Sequence, residues 1–117
     1  MGNRTEKDMS EPREYTTEEV RKKVINHIWM MIDYWEHDSR APTTRRKLSG
    51  LAHSICAMLD GCSGGIPAFV VAPIPHPSDK EFHKDEGENW FPENDTSNIK
   101  CDIGPIHEYL YQYGHKD

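Results

Sequence analysis

The sequence predicts an α+β fold: an N-terminal helical hairpin packed on a small β-sheet, then a long ordered loop and a short C-terminal helix. Three observations lead there. Two apolar stripes recur at helical spacing between Val20 and Leu59, a β-branched run sits among prolines from Ile66 to Ile74, and a polar stretch rich in Pro, Gly, Asn and Asp begins at Pro75. With 117 residues the chain fits one small domain, divided here into a disordered arm over 1–14 and a single globular domain over 15–117.

The arm carries charges, Gly2 and Pro12 but no apolar periodicity, so it cannot bury enough surface to offset the entropy of ordering it. Thr16-Thr17-Glu18-Glu19 forms a capping box that starts the first helix. On a helical wheel Val20, Val24, Ile25, Ile28, Met31, Ile32 and Trp35 fall within an arc of roughly 140°, the width of a core-facing stripe. Trp29, Met30 and Tyr34 lie outside it and need a second layer, such as the C-terminal segment, or a partner. Thr43 or Thr44 caps a second helix with the stripe Leu48, Leu51, Ala52, Ile55, Cys56, Met58 and Leu59, and Asp60-Gly61 ends it.

The run Ile66 to Ile74 then reads as a buried strand, with Pro67 and Pro73 marking the ends of its paired part or forcing it to a sheet edge. Ser78-Asp79-Lys80-Glu81 suggests a capping box for one helical turn. Trp90 and Phe91 would pin the loop to the body, in a short second strand or without one. Ile99, Cys101 and Ile103 alternate like a half-buried strand. Pro105 suits the first position of a last helix whose apolar face is Ile106, Tyr109, Leu110 and Tyr113.

Composition narrows the function. A formal charge of −6 without a long basic run argues against nonspecific nucleic-acid binding, which depends on neutralising phosphates. No stretch approaches the ~20 apolar residues of a membrane span, and the N-terminus lacks a signal peptide's apolar centre, so the expected location is cytoplasmic. Cys56, Cys62 and Cys101 lack a Cys-x-x-Cys pair and imply neither a disulfide framework nor a zinc ribbon. Cys56, on the apolar stripe, reads as a small core residue.

Gly61-Cys62-Ser63-Gly64-Gly65 carries the letters of a nucleophile elbow, but a helix precedes it and a strand follows, the reverse of what that motif requires. His76, Asp79 and His83 have metal-ligand spacing, and His107 could complete a site for a divalent metal such as Zn or Mn. Solvated or hydrogen-bonded histidines are the plainer reading. Arg45, Arg46 and Lys47 occupy the first turn of the second helix, where the macrodipole disfavours cations. An anion docked among them would make that arrangement favourable, whereas ordinary surface charge would leave it a local cost.

Leu59-Asp60-Gly61, Pro67-Ala68-Phe69, Pro73-x-Pro75-His76-Pro77-x-Asp79-Lys80 and Gly87-Glu88-Asn89-Trp90-Phe91-Pro92, with an Ile-His-Glu segment near the end, give the chain a family likeness from roughly Val20 to Leu110. It resembles small, functionally uncharacterised proteins encoded by tailed bacteriophages and prophages. The resemblance implies an accessory gene product inside an infected bacterium, of a class that often modifies host machinery or blocks defences such as CRISPR or nucleotide signalling. It carries over no catalytic residue.

The leading expectation is therefore a binding protein without catalytic residues or cofactor, which inhibits or redirects a host bacterial protein through Trp29, Tyr34, Trp90, Phe91 and Tyr109, aromatics of the kind found at interface hot spots. The alternative is a metal-dependent hydrolase or nucleotide-processing enzyme built on His76, Asp79, His83 and His107, with Arg45 and Arg46 holding a phosphate. A third reading is a protein that sequesters a small anionic ligand such as a nucleotide, between subunits of a homo-oligomer.

Overall fold

A computed structural model describes residues 12–113. Residues 1–11 of the expected disordered arm lie outside the described residues. Pro12 to Glu14, the end of that arm, are exposed and without regular structure. The architecture is helical: α1 (Thr17–His37), α2 (Thr44–Leu59), a short α3 (Asp79–Asp85) and one 3-10 turn, Ile106–Glu108.

Helix α1 starts where local chemistry says it should. Thr16 Oγ1 accepts from Glu19 N–H (3.1 Å) while Glu19 Oε1 accepts from Thr16 N–H (2.9 Å), satisfying two orphan donors reciprocally. Arg13 adds a two-pronged contact to the same carboxylate (2.8 and 2.9 Å). Its side-chain bonds, with the Thr16 backbone N–H, hold Glu19 down at about 2, from an ordinary 4.5. Thr43 caps α2 by accepting from Arg46 N–H (3.2 Å). Gly61 closes α2 in the left-handed conformation (φ 85°), and Cys62 N–H reaches back to Ala57 O (2.8 Å). A Cβ at Gly61 would also lie 2.9 Å from Ala68, so this turn needs glycine twice over.

The core lies between α1 and α2. Val24, Met31 and Met58 are buried together, with Ile28, Leu51, Ile55 and Leu59 packed half-buried around them. At the turn of the hairpin Trp35 lies against Gly50, where a Cβ would approach its ring to 2.5 Å, and Trp35 Nε1–H donates to Ser54 Oγ (2.9 Å). A second face of α1 is covered by the C-terminal segment. Arg21 Nε–H donates to Ile103 O (3.0 Å) with its guanidinium 4.1 Å from the Tyr109 ring centroid, and Trp29 Nε1–H donates to Leu110 O (2.7 Å). Ile25 shares that i, i+4, i+8 stripe with Arg21 and Trp29 and is fully buried.

The expected β-sheet is absent: the described residues contain no strand, so the α+β reading is corrected to an all-helical fold with long irregular segments. The reason is that a strand exists only by pairing. Among the described residues the one backbone–backbone bond of the stretch Ala68–Ile74 is Phe69 N–H to Leu59 O (2.9 Å), and the prolines at 67, 73 and 75 remove donors. Neither Trp90–Phe91 nor Ile99–Ile103 supplies a ladder, and the run read as buried is largely exposed. Other expectations also change. Leu48, Ala52 and Cys56, spaced four apart, form an exposed face of α2 instead of core. Ser78 makes no side-chain cap on α3, and the last helix shrinks to the three-residue 3-10 turn after Pro105.

Candidate functional site

Two of the three histidines in the suggested metal cluster, His76 and His83, have local partners. His76 N–H donates to Asp79 Oδ2 (3.0 Å) and its Nδ1 lies 2.8 Å from Ser78 Oγ, which ties the loop before α3 into a turn. His83 Nδ1 lies 2.9 Å from Glu88 Oε1 across the end of α3. His107 sits in the 3-10 turn and is exposed. The structure does not bring His76, Asp79, His83 and His107 together, and no three His, Cys, Asp or Glu side chains among the described residues are placed to hold one metal ion.

The three cations at the start of α2 part company. Lys47 Nζ donates to Trp35 O (3.1 Å) and Asp38 O (3.0 Å), so its charge sits on the carbonyl end of α1, where the macrodipole favours a cation. This explains the basic first turn without a ligand at Lys47. Arg45 and Arg46 line a cleft of about 830 Å³ at the hairpin turn together with Arg40, His53 and Trp35. Arg40 is committed to Asp38 (Nε to Oδ1, 3.1 Å) and to the Tyr34 hydroxyl. That Arg40 side-chain bond, helped by the Arg40 backbone N–H, holds Asp38 at about 2. The guanidinium groups of Arg45 and Arg46, without an ion pair among the described residues, are chemically able to grip an oxyanion.

The aromatic residues expected at an interface divide similarly. Trp29 and Tyr109 are engaged by Leu110 and Arg21, so the C-terminal segment is their second layer. Tyr34 is exposed, stacked edge-on against Trp35 (5.2 Å). Trp90 lies beneath Lys80 (5.8 Å), and Phe91 is 70 % exposed.

The sequence reading missed the larger part of the exposed apolar surface. Val70 is 87 % exposed, Val71 74 % and Ile74 66 %, and Phe82 on α3 is open to solvent as well. Ile74 and Phe91 share a cleft of about 240 Å³ with Pro73, Pro75 and Asp79. Beside it, Val70, Ala72 and Ile74 line a groove of about 390 Å³ with Ile99, Cys101 and Ile103 across from them. Large contiguous apolar surface of this type marks interaction sites. The signal for it was in the prolines: four of them in twelve residues, all at odd positions, strip the donors from one edge of the run and keep it out of the interior of a sheet.

No protein-family model, curated protein or solved structure matches the chain, so the comparisons lend no support to the phage resemblance or to an anti-defence role. No helix among the described residues is long and apolar enough to cross a membrane.

Proposed function

We propose that this protein is a small non-enzymatic binding protein that docks on another protein through its Ile74–Phe91 surface. The observation that carries the reading is the exposure of Ile74 and Phe91 on either side of one cleft, in a segment whose backbone is fastened by side-chain bonds such as Asn94 Nδ2–H to Pro73 O (2.9 Å). Apolar and aromatic groups held in place before binding lose little entropy on docking, which favours them as anchors. Asp79 at the cleft gives the surface an acidic element, in keeping with the charge of −6 and suited to a partner whose rim is basic. The phage resemblance directs the search to a host bacterial protein, inhibited or redirected on binding.

The test is affinity capture from bacterial lysate with the tagged wild-type chain and with Phe91→Asp, followed by titration of the purified partner. Wild type should retain one partner with saturable affinity, and Phe91→Asp should lose it with its helical signal unchanged. Equal retention by both chains, or retention by neither, removes the proposal.

A further inference from the structure

The prolines between Ile66 and Pro77 occupy positions 67, 73, 75 and 77, every one an odd number. In an extended run, neighbouring residues send their N–H and C=O groups to opposite edges, and a residue before proline is held in the extended region. All four missing donors therefore fall on one edge. The chain's own contacts use that same edge, through Phe69 N–H to Leu59 O (2.9 Å) and Asn94 Nδ2–H to Pro73 O (2.9 Å). On the other edge, Val70, Ala72 and Ile74 keep their N–H groups and bond to nothing among the described residues, until His76 N–H ends the series on Asp79. One edge of this segment carries both of its bonds to the molecule, and the three donors of the other edge have no partner among the described residues.

We propose that a second copy of this chain pairs antiparallel with the edge Val70, Ala72, Ile74, with Ala72 facing Ala72 of the partner subunit. The edge is complementary to itself. Run antiparallel, the series sets Val70 against Ile74 of the partner subunit, branched side chain opposite branched side chain, and leaves the smallest residue on the two-fold axis. Every free donor on each copy then meets a carbonyl, and no proline interrupts the ladder. No charged residue lies between Ile66 and Pro77, so two chains each carrying −6 meet at the stretch where like charges do not face one another. The apolar surface of Val70 and Ile74 leaves water in the same step. This goes beyond the proposed docking on another protein and is tested on the purified chain alone, so either reading can fail without the other.

Light scattering of the full chain across a concentration series should show a shift from 13.5 kDa to twice that mass. Val70→Lys alone and Ile74→Glu alone should each weaken the dimer by at least about tenfold. The double variant Val70→Lys/Ile74→Glu, which sets an introduced ammonium of one copy against an introduced carboxylate of the other, should regain it. Both positions are exposed in the single chain, so the helical circular dichroism of all three variants should match wild type. Ala72→Pro removes the donor at the axis and should abolish pairing, whereas Val71→Pro acts on the fastened edge and should leave it. A wild type that stays monomeric at every concentration, single variants that dimerise as well as wild type, a double variant no better than the singles, or equal effects of the two prolines would each overturn the proposal.

Discussion

Met58 and Val71 are both apolar and both sit in apolar runs, yet Met58 is 1 % exposed and Val71 74 %. The difference separates two regions. From Thr17 to Leu59 the chain meets its hydrogen-bonding needs within itself, helix by helix, and has only to press one stripe against another. In the runs Ile66–Ile74 and Ile99–Ile103 the residues have strand chemistry but no strand to pair with: Ile66, Phe69 and Ile103 pack on the helical core, while Val70, Val71 and Ile74 stay exposed. Apolar content alone therefore does not decide where a core forms. Pairing does.

Three experiments sharpen that contrast, in falling order of effect. Met58→Ala empties the centre of the hairpin core and should cost about 2–5 kcal/mol in urea unfolding, while Val71→Ala should stay within about 0.5 kcal/mol of wild type. Comparable losses would mean that Val71 contributes to the core as Met58 does. Trp29→Phe keeps an aromatic group but loses the indole N–H donor to Leu110 O, and should cost about 1 kcal/mol or more. Its amides from Ile106 to Tyr113 should exchange with deuterium faster than in wild type, and unchanged exchange there would detach the C-terminal segment from α1.

The smallest effect concerns the start of α1 and has a defined pH window. Arg13 and the Thr16 N–H hold Glu19 at about 2, well below its ordinary 4.5. A depressed carboxylate stabilises the folded chain fully above its unfolded value and loses that contribution as the pH falls through its folded value. Wild-type helicity should thus decline from about pH 4.5 towards pH 2, with Asp38, also depressed, sharing in the loss. Glu19→Gln should begin with less helix at neutral pH and decline less over that window, as followed at 222 nm. Parallel curves for the two chains would remove the capping contact from the account.

The helices were legible because their signals are local. The Thr16 capping box, the stop at Asp60-Gly61 and the stripe through Val24, Ile28 and Met31 all lie within a few residues of what they control. Strand pairing is not local. Ile66–Ile74 and Ile99–Ile103 each look like strands, and nothing in either run says whether the other will come within bonding distance. The same limit explains the site. Lys47 as a clamp on the carbonyls of Trp35 and Asp38 depends on how the hairpin closes, and the exposure of Leu48, Ala52 and Cys56 depends on how far α1 extends across α2. Histidine spacing likewise said nothing about Ser78 and Glu88 as the nearer partners.

The bonds from Arg21 to Ile103 and from Trp29 to Leu110 join positions 82 and 81 residues apart. A ribosome adding residues at cellular speed takes on the order of ten seconds to cover that distance. Until Ile103 and Leu110 have been added, the segment that covers Ile25 and the Trp29 indole in the finished chain does not yet exist. Whatever first meets the growing chain in the cell meets it in that half-finished form, and the order of synthesis becomes part of how this molecule avoids sticking to its neighbours.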